Sequence, residues 1–152
     1  MLYCLLETYG GGLYQERPQQ QEGRPLRESD ARGPYEAQFE TEKSYILFDY
    51  YKNEIPKMDN NKSIYIFSSH SHDDHFNPKV LELSDRYSDV NYIFSKDIQK
   101  KNKSEKPVTY VKANENYSIG DLEITTLKST DLGVAFVVKT EGMTIYHAGD
   151  LN

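Results

Sequence analysis

The chain has 152 residues, enough for one domain with a hydrophobic core but too few for two domains of ordinary size. Its hydrophobic fraction of 37%, net charge of −6 and pI near 5.2 disfavour nucleic-acid binding through bulk electrostatics without excluding it. No stretch approaches the roughly 20 apolar residues that span a bilayer, and the single cysteine, Cys4, excludes an internal disulfide. We therefore expect a cytoplasmic protein with no membrane partner.

The amino-acid composition changes near residue 40. Arginine and glutamine are concentrated before this point, whereas every lysine, isoleucine and valine follows it. Residues 10–38 combine Gly, Pro, Gln and charged residues without an apolar period, which is typical of a segment that buries too little surface to fold. We therefore divide the chain into a disordered or atypical segment, 1–39, and a folded domain, 40–152. A misassigned start of the chain is another explanation of the change.

Short β-branched and aromatic runs predict that most of the folded domain is strand. Asn77 and Pro78 are residue types of an N-cap and a first helical position, so a helix is expected from there to about Tyr87. A second short helix is expected at 97–101. Strands are predicted at 44–51, 63–69, 90–95 and 107–112, a strand pair at 117–129 around Gly120-Asp121, and a hairpin at 133–150 turning at Glu141-Gly142.

These elements indicate an α/β (α+β) fold with a β-rich second half. About one good helix and one short helix are too few to cover so many apolar strands, so we expect an uncovered sheet face that favours self-association. We also expect that a complete layered domain needs more chain after Asn152.

The segment FSSHSHDDHFNP, residues 67–78, holds three of the four histidines. His70 and His72 are two residues apart after a buried strand, so their side chains point the same way and can share one metal ion. Asp74 and His75 lie beyond the bend and can face a second ion. Imidazole and carboxylate ligands without cysteine suit Zn²⁺, Mn²⁺ or Fe in an open, catalytic site.

Two ions about 3.5–4 Å apart can activate a water for hydrolysis. Asp74 is then the catalytic residue expected to bind one ion and orient the water. The alternative is a solvated loop whose histidines only cap the following helix. The spacing of three histidines and Asp74 after a buried strand makes this the weaker hypothesis.

Other polar residues near strand ends have less specific signals. Asp150, after the strand in TIYHAGD, becomes a metal-bridging candidate only together with the histidine loop. Asp49 is either the hydrogen-bond partner of a metal-bound histidine or an ordinary turn residue. His147 is expected to be packed rather than to bind metal, and Asp73 is expected to point away from the site.

HSHDDH at 70–75 and YHAGD at 146–150 resemble the motifs of the metallo-β-lactamase (MBL) fold family of metallo-hydrolases. The first motif matches at all its defining positions, His70, His72, Asp74 and His75. The resemblance implies an αββα sandwich, of which this chain would hold the N-terminal half to two-thirds. It also implies a dinuclear Zn²⁺ centre, with His70 and His72 on one ion, Asp74 and His75 on the other, and Asp150 bridging them. The chain also resembles bacterial MBL-fold hydrolases in general, including the branches related to RNA-processing nucleases and sugar-phosphate lactonases.

Between its two motifs, the sequence lacks one histidine ligand of the family pattern. A further histidine ligand is usual about twenty residues before the bridging aspartate, whereas TLKSTDLGVAF places Ser129 or Asp131 there. Asp131 is either an oxygen ligand or an ordinary loop residue. A last histidine ligand usually lies beyond Asp150.

We therefore predict a metal-dependent hydrolase that cleaves an ester, phosphoester, lactone or amide bond of an unidentified small-molecule or phosphoester substrate. The other hypothesis is a catalytically incomplete metal-binding fragment or interaction module, which follows from the missing ligands. No organic cofactor is expected, and self-association through the uncovered sheet would give a homo-oligomer.

Overall fold

The computed structural model of the chain describes residues 4–8, 13–14, 36–52, 54–129 and 132–150. These residues form strands in two sheets and two 3-10 helices. The first 3-10 helix is Pro78–Asp85 and the second is Lys96–Lys100. The strands are β1 (Cys4–Thr8), β2 (Leu13–Tyr14), β3 (Ala37–Glu40), β4 (Ser44–Phe48), β5 (Ser63–Ser68), β6 (Val90–Ser95), β7 (Thr109–Val111), β8 (Asn116–Ile119), β9 (Leu122–Lys128), β10 (Val134–Thr140) and β11 (Met143–His147).

One sheet has the strand order β3-β4-β5-β6-β7. Strands β4 to β7 are parallel, and β3 pairs with β4 in the antiparallel direction. Parallel neighbours need a crossover connection, and the crossover from β5 to β6 contains the histidine loop and the first 3-10 helix. Central strand β5 is buried on both faces from Ile64 to Ser68, which is why its sequence is a nearly continuous apolar run.

The other sheet is antiparallel, with the order β2-β1-β11-β10-β9-β8. Its inner face packs on the five-stranded sheet around Phe48, Phe67 and Phe136. The ring centroids of Phe48 and Phe67 are 4.8 Å apart, and those of Phe67 and Phe136 are 5.0 Å apart. The core between the sheets therefore lies directly beneath the ends of β4 and β5.

The first 3-10 helix covers the opposite face of the five-stranded sheet. Its residues Val80, Leu81 and Leu83 are buried. Asn77 is the predicted N-cap, and its Oδ1 accepts a hydrogen bond from Lys79 N at 3.0 Å. The predicted start of this helix is thus confirmed.

The geometry of this helix differs from an α-helix because a tyrosine from β6 takes part in its hydrogen bonding. The Tyr92 hydroxyl lies 2.9 Å from Val80 O and 3.0 Å from Leu81 O. The amide of Ser84, which would donate to Val80 O in an α-helix, donates to the Tyr92 hydroxyl at 3.1 Å. The tighter 3-10 form follows from this tertiary contact.

The two packed sheets confirm the predicted α/β (α+β) class, and each predicted strand is present within a few residues of its expected bounds. Strand β3 was not expected, since Ala37 falls within the segment 1–39, yet its Phe39 is buried in the core. Strands β1 and β2 extend the six-stranded sheet next to β11. Residues 15–35 lie outside the described residues, and the division of the chain at residue 40 stays a prediction.

No helix among the described residues is long and apolar enough to cross a membrane. Leu127, on the outer face of the six-stranded sheet, is 40% exposed. Self-association through this face stays a prediction.

Candidate metal centre

The histidine loop begins where central strand β5 ends. His70 and His75 are fully buried, whereas His72 is exposed. The amides of His75 and Phe76 both donate to His72 O, at 3.0 and 2.9 Å, which turns the chain back toward the sheet. This turn brings the two buried imidazoles together, with ring centroids 3.9 Å apart.

Asp49 is the buried carboxylate that holds this loop in place. It follows β4 with a φ of 47°, in the left-handed region that Asp and Asn tolerate better than most residues. It accepts four hydrogen bonds of 2.7 Å, from Ser69 N, Ser69 Oγ, His75 Nδ1 and His147 Nε2. Burial by itself would raise the pKa of this carboxyl, but the imidazoles of His147 and His75 outweigh burial and hold the pKa well below its usual range. Asp49 is thus a histidine partner and not an ordinary turn residue.

The hydrogen bonds around Asp49 indicate which nitrogen of each imidazole carries a proton. Ser69 has one hydroxyl hydrogen and donates it to Asp49, so we assign His70 Nδ1, at 3.0 Å, as the donor to Ser69 Oγ. His75 also donates from Nδ1, directly to Asp49. With Nδ1 as the donor in each ring, Nε2 is the nitrogen whose lone pair can bind a cation.

Asp150 reaches the histidines from the other sheet. Strand β11 ends at His147, and Gly149, with a φ of +69°, lies so close to Ser69 that an added Cβ would be 3.0 Å from Ser69 Cβ and Oγ. Ser129 Oγ donates to Asp150 O at 3.2 Å. One ligand atom each from His70, His75 and Asp150 lies within 4.8 Å of the other two.

Gly133 provides the second close approach between the sheets. A Cβ on this residue would be 1.9 Å from Ser69 O and 2.7 Å from His70 Cβ, and its φ of +78° favours glycine. The next residue, Val134, donates its amide to Ser69 O at 2.9 Å. The β9–β10 connection therefore contacts the backbone at the start of the histidine loop, where only a glycine fits.

The donor set fits a divalent cation. Ligands of one tetrahedral Zn²⁺ lie about 2.0–2.2 Å from the ion, which places any two of them about 3.3–3.6 Å apart. The three donors lie within 4.8 Å of one another, so movements on the order of 1 Å bring them to that spacing. Burial lowers the pKa of His70, and the neighbouring His75 lowers it further, which favours the neutral ring that metal binding requires. Two imidazoles and a carboxylate accept Zn²⁺, Mn²⁺ or Fe.

His72 and Asp74 lie beside this group rather than within it. His72 Nδ1 is 3.1 Å from His70 Nε2, and Asp74 Oδ2 is 3.8 Å from His75 Nε2. The Asp74 side chain is 45% exposed. The two ligand pairs that the family resemblance implies, His70 with His72 and Asp74 with His75, are thus neighbours, and their assignment to two ions stays a prediction.

The remaining candidates fall outside the ligand group. Asp73 is 90% exposed and pairs with Lys101, so it points away from the site as expected. His147 stacks on Phe48 with ring centroids 4.7 Å apart and donates to Asp49, which is a packed position. Asp131 lies outside the described residues, and its role as a ligand stays a prediction.

Sequence reasoning missed several residues that shape the site. Nothing in the sequence around Ser69, apart from its position before His70, indicated that it would bond to a metal-binding histidine. Gly133 was taken only as the start of a hairpin, although a glycine before a strand is also a signal for close backbone approach. Asp97 and Lys101, both in contact with the histidine loop, were assigned only to a short helix.

Comparison with known proteins agrees with this geometry. No curated protein matches the chain. A family model described as the beta-lactamase superfamily domain matches residues 37–152. This range contains both sheets' central strands, the histidine loop and Asp150. The chain therefore belongs to the beta-lactamase superfamily and has the metallo-β-lactamase fold.

Proposed function

We propose that the chain is a metal-dependent hydrolase whose centre contains His70, His75 and Asp150, completed by His72 and Asp74. The convergence of donors from two sheets carries this proposal: the histidines follow β5, Asp150 follows β11, and their ligand atoms lie within 4.8 Å. A bound divalent cation would lower the pKa of a water and polarise an ester, phosphoester, lactone or amide bond. Zn²⁺ is the proposed metal, and Mn²⁺ or Fe would suit the same ligands.

The residues around the proposed metal site form a buried side, which orients the ligands, and an open side, which faces the substrate. On the buried side, Asp49 and Ser69 orient the imidazoles of His75 and His70. The open side is formed by His72, which is exposed, and Asp74, which is half exposed. Substrate therefore approaches from the open side, where the Asp74 carboxylate can accept a hydrogen bond from the attacking water and orient it.

A second candidate function is a metal-binding module without turnover. It is favoured by the position of the fourth histidine, since His147 donates to Asp49 and packs on Phe48 instead of joining the ligand group. Such a centre would hold one ion weakly, because His70, His75 and Asp150 leave fewer protein ligands than a complete dinuclear site needs.

Metal titration combined with hydrolysis assays separates the two functions. The full chain is loaded with Zn²⁺ or Mn²⁺, and turnover is measured on bis(p-nitrophenyl) phosphate and on a simple lactone. We expect His72→Ala and Asp74→Ala to abolish turnover, and exposed Asp121→Ala to leave it unchanged as the matched control. About two metal ions per chain would accompany activity.

Binding of one weakly held ion, with no turnover at any metal loading, would support the module instead. Full activity in Asp74→Ala would refute the assignment of the water-orienting carboxylate.

A further inference from the structure

We propose that Asp97 and Lys101 are positioning residues that raise the affinity of the metal centre by holding the backbone of Ser71 from both sides. We call these two side chains the Ser71 clamp. The inference rests on the proposed function, because it concerns how the same centre is preorganised.

The clamp acts on the residue between the first two histidines of the loop. The amide of Ser71 donates to Asp97 Oδ2 at 2.8 Å, and the carbonyl of Ser71 accepts from Lys101 Nζ at 2.9 Å. These two bonds fix the peptide planes before and after Ser71. Since one plane leads from His70 and the other leads to His72, the clamp sets the orientation of one imidazole relative to the other.

His72 depends on this restraint more than His70 does. His70 is fully buried, and its Nδ1 is held by Ser69 Oγ. His72 is exposed, so the surrounding protein restrains its ring less. A metal ligand has to be held within about 0.5 Å of its productive position by its supporting residues, and for His72 the backbone at Ser71 supplies that support.

The charges of the clamp also favour a cation nearby. Asp97 Oδ1 is buried and has no hydrogen-bond partner among the described residues, so part of this carboxylate's negative charge is not offset by a hydrogen bond. Lys101, the other member of the clamp, forms its ion pair with Asp73. A carboxylate within reach of the loop stabilises a positive charge bound there more than it would at the surface.

The rival explanation is that the clamp only attaches the second 3-10 helix, Lys96–Lys100, to the loop. Asp97 lies in the first turn of this helix and Lys101 at its C-cap, so loss of either could simply destabilise the fold. A purely structural role would lower the free energy of unfolding of the metal-free chain. It would not change the affinity of the folded chain for metal or the ligand geometry around it.

The test measures the Zn²⁺ affinity of the full chain by competition with a chromophoric chelator. We expect Asp97→Ala and Lys101→Met to raise the Kd for Zn²⁺ by about 10-fold or more, the usual effect of removing a residue that supports metal ligands. Asp97→Asn and Lys101→Arg should each lose less affinity than Asp97→Ala and Lys101→Met, since each keeps a group that can bond to Ser71. Exposed Lys100→Ala, on the same helix, is the matched control and should bind as the unchanged chain does.

Two further measurements complete the test. The visible absorption of bound Co²⁺ should change in Asp97→Ala, because the spectrum reports ligand geometry. Urea unfolding without metal shows whether each variant is folded. If Asp97→Ala does not fold, Lys101→Met still tests the proposal, because it alters a more exposed side chain.

Zn²⁺ binding within twofold of the unchanged chain in both Asp97→Ala and Lys101→Met would overturn the clamp. The proposed function would survive that result if His72→Ala still weakened binding and hydrolysis persisted in the unchanged chain. Absence of any Zn²⁺ binding by the unchanged chain would overturn both proposals together.

Discussion

Replacement of Asp49 by asparagine tests whether one buried carboxylate organises the metal centre. Asparagine is the suitable substitution because residue 49 has a φ of 47°, a conformation that asparagine tolerates and alanine does not. The variant keeps the size of the side chain and removes its charge. It also replaces one acceptor oxygen by an NH₂ donor.

The expected cost follows from the four hydrogen bonds that the carboxylate accepts. Asp49 Oδ2 accepts from Ser69 Oγ, His75 Nδ1 and His147 Nε2, while Oδ1 accepts from Ser69 N. If the amide oxygen takes the Oδ2 position, the amide nitrogen faces the Ser69 N–H, which leaves two buried donors without an acceptor: the Ser69 N–H and the new NH₂ group. Each unsatisfied buried group costs about 1–3 kcal/mol, so we expect the free energy of unfolding to fall by about 2–6 kcal/mol.

The same substitution should weaken metal binding, because a neutral amide oxygen in the Oδ2 position is a weaker acceptor for the His75 Nδ1 proton than the carboxylate is. Mutation of such a supporting partner typically costs about 10–100-fold in metal affinity.

Urea unfolding in the presence of a chelator, followed by far-UV circular dichroism because the chain has no tryptophan, measures the stability change. Zn²⁺ competition measures the affinity. Exposed Asp121→Asn is the control and should change stability by less than about 0.5 kcal/mol. The reasoning is refuted if Asp49→Asn keeps its stability within about 0.5 kcal/mol and its Zn²⁺ affinity within twofold.

Three other predictions test the surroundings of the centre. Gly133→Ala should destabilise the chain by more than about 2 kcal/mol and weaken Zn²⁺ binding, because its Cβ would lie 1.9 Å from Ser69 O. The control Gly142→Ala, at a φ of +73° with nothing within 4 Å of the added Cβ, should cost only about 1–2 kcal/mol of backbone strain. Equal losses of stability in urea unfolding would contradict this prediction. Asn77→Ala removes the helix cap and should cost about 1 kcal/mol by the same assay, whereas exposed Lys79→Ala should be nearly neutral. Zn²⁺ at about 100 times its Kd should add about 2.7 kcal/mol of stability that a chelator removes, and an unchanged melting temperature on chelation would show that the folded chain holds no metal.

Much of the fold was predictable because it depends on local pattern. Strand β6 was expected at 90–95 and is Val90–Ser95, and the Asn77 cap follows from a side chain that bonds an amide two residues away. Strand β3 was missed because it has only four residues next to a polar segment. Its burial depends on pairing with β4, which a local window does not contain. The helix expected from Pro78 to about Tyr87 is the 3-10 helix Pro78–Asp85, and its tight form also depends on a distant residue, since Tyr92 bonds to its carbonyls from another strand.

The candidate ligands could be named from the sequence because His70, His72, Asp74 and His75 lie within one loop, where spacing alone brings the side chains near each other. The residues that make the loop a site come from elsewhere in the chain: Asp49 bonds His147 across 98 positions, and Asp97 bonds Ser71 across 26. Such contacts exist only after β4, β5, β6 and β11 have been placed in two packed sheets. Strand order and sheet packing result from burying the whole core. Short sequence patterns therefore identify the possible ligands, and the assembled sheets determine which of these ligands face each other.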